Sequence, residues 1–191
     1  MKKITSLLFI CFLFINCSTP SSKDSNNSAK SSINFTLNDK TEYEQDNTFS
    51  KVTWRKNINT STIAKEFFIS ASLKVKGTTT SENMGWLNLE IRTTDNELIV
   101  NKTYNIYTMD SSYYLPLNDP QFCFNQVSLF HASNTIGNVK ITSFDGVTLK
   151  GEFNISNLTN DGGIPLGYCN GTKIIATIFN ITKGTFTAIP L

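Results

Sequence analysis

From Glu66 onward, Phe67, Ile69, Ala71, Leu73 and Val75 alternate with Phe68, Ser70, Ser72, Lys74 and Lys76. A period of two belongs to a strand with one face buried, because successive side chains point to opposite sides of a sheet. Gly77 and three threonines end the run. The pattern then restarts, with Leu87, Leu89 and Ile91 set against Trp86, Asn88, Glu90 and Arg92. Thr94-Asp95-Asn96 is turn chemistry, and strands are predicted at Leu98-Ile99-Val100 and around Thr103 to Thr108. Further runs at Lys173 to Asn180 and Gly184 to Ile189 are read as two strands. Weaker candidates lie at Ile33 to Leu37, Val52 to Arg55 and Gln121 to Phe130.

Val139 to Phe144 and Val147 to Ile155 flank Asp145-Gly146, a dipeptide that favours a two-residue type I′ hairpin turn. That register sets Phe144 opposite Val147 and Ile141 near Lys150. A bulge is therefore expected if both apolar rows are to share one face. Outside the N-terminal segment, no stretch of ten residues carries apolar positions at helical spacing with caps. The expected fold is all-β, about nine strands in an antiparallel two-sheet sandwich, with a β-barrel as the alternative. No internal repeat is present.

The N-terminus follows different rules. Met1-Lys2-Lys3 precedes about twelve mostly apolar residues, the length of a secretory h-region and too short to span a bilayer, which takes roughly 20. It ends in Phe14-Ile15-Asn16-Cys17, which resembles the lipobox of bacterial lipoproteins, with Phe14 and Asn16 where Leu and a small residue are usual. The resemblance implies that residues 1–16 are removed and that Cys17 carries lipid. Two or more acyl chains, at about 0.8 kcal/mol per buried CH₂, give stable anchoring. Residues 17–32, rich in Ser and Asn, have little to bury and read as a flexible tether. Residues 33–191 form one domain. The expected address is the cell envelope, at the outer membrane.

The hairpin from Gly137 to Phe153, the ending Ile181 to Leu191, and Lys102-Thr103-Tyr104 leading into a tyrosine-rich stretch resemble, together with the signal and tether, a family of uncharacterised lipoproteins of the Bacteroidota type. The likeness covers about Ser31 to Leu191. It implies a small β-rich domain behind an anchor and brings no activity with it.

The chain carries 17 basic and 15 acidic residues, and without Lys2 and Lys3 the balance is even. Nucleic acid is therefore not an expected partner, since phosphate binding relies on clustered Lys and Arg. Of four cysteines, Cys11 leaves with the signal and Cys17 takes lipid, so Cys123 and Cys169 remain to form a disulfide. It would close a loop of about 47 residues, for which chain entropy gives about 4 kcal/mol as an upper expectation. Two separate buried thiols are the alternative. One histidine and no CxxC spacing argue against zinc, and no cofactor is expected.

Catalysis has little to stand on. His131 could act beside Ser128 or Ser133, but no orienting acid and no nucleophile elbow accompany it. Glu42 with Glu44, Asp95 with Glu97, and Asp119 have spacings common on exposed strands. Asn160-Asp161-Gly162-Gly163 lacks the ligands of a calcium loop. The one nominated recognition surface is Tyr104, Tyr107, Tyr113 and Tyr114 with Trp86, since such rings pair apolar area with a polar tip, although several would simply pack in the sheet. A non-catalytic binding or envelope-interaction module, with a glycan or protein partner, is the expected function, and an unrecognised envelope hydrolase is the alternative. Replacing Cys17 by Ala should abolish lipidation and release the protein from the membrane fraction. Unchanged attachment and precursor processing on cell fractionation would refute the anchor.

Overall fold

The computed structural model describes residues 30–57, 64–78, 84–107, 111–116, 126–160, 168–169, 172–173 and 177–191. Among them there is no helix. The strands are β1 (Ser32–Leu37), β2 (Thr41–Gln45), β3 (Thr53–Asn57), β4 (Lys65–Val75), β5 (Gly85–Thr93), β6 (Thr103–Asn105), β7 (Ser112–Pro116), β8 (Gln126–Phe144), β9 (Leu149–Thr159), β10 (Tyr168–Cys169), β11 (Thr172–Lys173) and β12 (Ile178–Pro190). Strands β10 and β11 pair only with each other.

The pairings close on themselves. β1 joins β2, then β4, β5, β7, β8, β9 and β12 follow in order, and β12 returns to β1, every step antiparallel. The expected sandwich is therefore corrected to its alternative, a closed eight-stranded barrel. The cause lies in β8 and β12, two long strands bent by irregularities at His131/Ile136, Ile141/Ser143, Phe179/Ile181 and Ile181/Gly184. Bulges raise local twist and bend a sheet enough for its edges to meet. Two gaps in the wall are each filled by two pieces. Between β4 and β12, the β1–β2 hairpin occupies one end and β3 the other, the latter parallel to β12 at Ile189 and Pro190. Between β5 and β8, β7 fills one end, while β6 and the Ile91–Ile106 bridge fill the other.

Eight strands enclose an interior just wide enough for side chains. Ile33, Phe35, Leu37, Ile69, Leu73, Leu89, Leu115, Val139, Ile141, Phe153, Ile155, Ile181 and Phe186 belong to a single buried cluster. On β9 the outward positions are polar: Lys150, Glu152 and Asn154 flank inward Gly151 and Phe153. This reverses a membrane-spanning barrel, whose outer row is apolar and inner row polar.

Between β9 and β12 the core is interlocked. Phe153 pairs with Gly184, and Gly151 pairs with Phe186. A Cβ on Gly184 would stand 2.6 Å from the Phe153 ring and carbonyl oxygen, and one on Gly151 would stand 2.6 Å from the Phe186 ring. Each ring thus lies over the glycine of the facing strand. Phe35 meets the Phe153 ring edge-on at 5.9 Å and stacks on Tyr43 with centroids 5.0 Å apart, and the Tyr43 hydroxyl reaches from β2 to donate to the Pro116 carbonyl of β7 at 2.5 Å.

The hairpin between β8 and β9 is wider than expected. Phe144 pairs with Leu149, leaving a four-residue loop, and the expected bulge falls between Ile141 and Ser143. Asp145 accounts for the width: its carboxylate accepts from the amides of Val147 and Thr148, a side-chain turn that replaces the type I′ geometry, with Gly146 at φ +90°. Leu98 to Val100 form no strand; Leu98 is buried and Ile99 and Val100 are exposed. Gly184→Ala and Gly151→Ala should each destabilise by about 1–3 kcal/mol, since the added methyl overpacks a filled core. Thermal unfolding measures it, and an unchanged midpoint would mean the rings do not sit over these glycines.

Candidate functional site

Alternation on β5 sends Leu87, Leu89 and Ile91 inward and Trp86 and Asn88 outward. Register then decides what lies beside them. Trp86 pairs with Ser72 of β4 and with Tyr114 of β7, and Tyr114 pairs with Ser128 of β8. The Trp86 and Tyr114 rings stack with centroids 4.3 Å apart and planes inclined by 23°. Trp86 remains 47% exposed and Tyr114 is half-buried. Two positions along, Asn88 pairs with Ser70 and Ser112, and the Ser70 hydroxyl donates to Asn88 Oδ1 at 2.8 Å. Phe130, exposed on β8, extends the apolar area. The result is an aromatic platform on the outer wall, edged by serine hydroxyls and an amide.

The other nominated tyrosines do different work. Tyr113 follows the opposite parity to Tyr114, so it points into the barrel and is 2% exposed, and burial pushes its phenol up. Tyr104, paired with Val139, is also buried; its hydroxyl accepts from the Ile99 amide at 2.8 Å and donates to Asp95 at 3.0 Å. Tyr107 is half-buried beneath the Arg92 guanidinium, 3.5 Å from its centroid. Of the nominated five, Trp86 and Tyr114 meet on the surface, Tyr104 and Tyr113 are buried, and Tyr107 lies against Arg92.

The same structure resolves the candidate chemistry. His131 Nε2 is 3.0 Å from the Tyr113 hydroxyl inside the barrel end, whereas Ser128 is exposed on the outer face, so the two do not meet. Among the described residues His131 Nδ1 has no hydrogen-bond partner. Burial holds the imidazole below its ordinary value. Glu42 pairs with Lys76, Glu44 with Lys74, Glu97 with Lys56 and Asp95 with Lys102, and the Lys102 hydrogen bond holds the Asp95 carboxyl low. These are ion pairs, not a pair of carboxylates facing one substrate. Asn160 is buried and accepts from the Thr177 amide at 2.8 Å. Cys17, Cys123, Asp119 and Asp161 to Gly163 lie outside the described residues, as does the side chain of Ser133; Cys169 enters only through the backbone of β10.

Sequence reasoning missed one charged cluster. Glu90 faces outward yet is fully buried, with Arg92 Nε 2.6 Å from its carboxylate and 3.7 Å from that of Glu66, which also accepts from Asn57 at 3.1 Å. Tyr107 and Ser111 bond to its backbone: the Tyr107 amide donates to the Glu90 carbonyl and the Glu90 amide to the Ser111 hydroxyl. One cation shared by two carboxylates, with a ring against its face, is a structural ion-pair network. Among the described residues no group of His, Cys, Asp and Glu is placed to hold a metal.

The buried imidazole makes stability pH-dependent. The unfolded chain takes up a proton on His131 below its ordinary value near 6.5, whereas the folded chain, with the value lowered, does not. Stability is full above that value and declines as pH falls below it, until the folded-state value is passed. Denaturant unfolding between about pH 7.5 and 5.5 should show the decline, and His131→Gln should flatten it; equal slopes for both proteins would refute it. No protein-family model, curated protein or solved structure matches this chain, so the reading of the platform rests on its own geometry.

Proposed function

We propose that this chain is a lipid-anchored, non-catalytic binding module of the cell envelope, held at the outer membrane through Cys17, and that the Trp86–Tyr114 platform is where it holds a glycan. The observation that carries the reading is the stacked, solvent-facing pair itself. A cross-strand aromatic pair can gain about 0.5–1.5 kcal/mol from its contact, but nothing in the packing of a water-facing wall requires a half-exposed tryptophan there. Sugar rings present flat C–H faces to such a platform and hydroxyls to its rim. Ser72, Ser112, Ser128 and Asn88 supply donors and acceptors at that rim. The tether and the anchor support the address, as does a barrel whose polar face is outside. A Cys123–Cys169 disulfide fits the oxidising compartment this address implies.

Affinity electrophoresis of the detergent-solubilised full chain through gels holding a glucan, a galactomannan or polygalacturonate tests the reading. Retention by at least one polymer is expected, with Trp86→Ala weakening it about tenfold or more, as for a central aromatic contact. The variant's fold should be close to that of the parent. Absence of retention on every polymer, or retention indifferent to Trp86, would overturn the glycan reading. Turnover of an envelope substrate, lost in His131→Ala with unchanged unfolding, would overturn the non-catalytic one.

A further inference from the structure

The platform continues sideways into a pocket. Ser72, directly across from Trp86, has its hydroxyl 2.8 Å from that of Ser50, and Ser50 lines a cavity of about 500 Å³ together with Lys30, Ser31, Gln45, Phe49 and Lys51. The pocket lies at the seam where β1, the end of β2 and the loop into β3 meet. Its floor is fixed: buried Gln45 donates to Ser31 Oγ at 3.2 Å and to the Ser50 carbonyl at 3.0 Å, and Ser31 Oγ accepts from the Val52 amide at 3.1 Å. Both ionisable groups lining the pocket are cations.

Nearby carboxylates form no ion pair with them. Asp46 is 1% exposed and accepts from the Thr48 amide at 2.9 Å, and Glu44 is 3.3 Å from Lys74. Among the described residues neither Lys30 nor Lys51 forms an ion pair, and both are exposed. Two unpaired ammonium groups above a polar floor raise the local concentration of anions. The half-exposed Phe49 adds apolar area at the rim.

We propose that the glycan held at Trp86 and Tyr114 is acidic, and that it runs across Ser72 and Ser50 so that a carboxylate on it meets Lys30 and Lys51. The inference rests on the glycan reading of the platform. Two strand intervals, about 10 Å, separate Trp86 from the pocket side of the row. A short oligosaccharide covers that distance, stacking one ring on the platform while a uronate further along lies between the lysines. Neutral sugars would gain the stacking alone.

The test compares polygalacturonate, alginate and hyaluronate with their methyl esters, which keep each backbone and remove its charge. The full chain in detergent should be retained by at least one acid more strongly than by its ester, and added salt should erase the difference. The double variant K30Q/K51Q should lose about tenfold on the acid, since exposed ion pairs are individually modest, and should bind the ester like the parent. Trp86→Ala should weaken both. Equal retention of acid and ester, or an unaffected K30Q/K51Q, overturns the acidic ligand and leaves the platform standing. Loss on K30Q/K51Q with Trp86→Ala silent means charge alone binds and overturns both readings. Retention by none of the acids also overturns the inference.

Discussion

Phe153 and Phe186 can lie inside the barrel only because Gly184 and Gly151 stand opposite them. Two benzyl groups on adjacent strands would otherwise contend with the Cβ atoms of their partners. Here each strand yields at the position where the other is large. The arrangement fixes the β9–β12 register, because a shift of one residue would bring ring against backbone and turn every inward side chain outward. β12 then presents its other edge to β1, and the ring closes. An eight-stranded interior tolerates little extra volume, so the reciprocal fit of large and absent side chains lets these two strands lie side by side.

Much of this was legible where one face is apolar and the other polar. β4, β5 and β9 follow their period of two almost residue by residue. β2 was not visible, because its inward positions are Tyr43 and Gln45, one amphipathic and one polar, in a segment of Thr and Glu. β8 and β12 read as separate pieces because their bulges break the alternation where the strands bend. Short strand runs point to a sandwich, whereas long bent strands make a barrel. Nothing in composition marks that difference.

The platform was half legible for a related reason. Alternation places Trp86 outward by itself. Which tyrosine stands beside it depends on the register between β5 and β7, and that register is a property of the closed wall, not of either segment. Tyr113 and Tyr114 are neighbours in sequence and lie on opposite sides of the sheet, one against His131 and one against Trp86. The buried Glu90 is the opposite case: its sequence position says exposed, whereas in the fold it is buried, with Arg92 against its carboxylate and Tyr107 and Ser111 bonded to its backbone.

The place where the chain enters the barrel has a mechanical meaning. β1 is bonded along both edges, to β2 on one side and β12 on the other. A pull transmitted through the residues before Lys30, directed along the strand, loads both ladders in shear rather than opening them one bond at a time. Many hydrogen bonds then share the force at once. The same strand is a closing stave of the barrel, so its extraction would breach the wall. A domain held by its N-terminal end and tugged by whatever it grips would therefore meet the load with its most fully paired short strand.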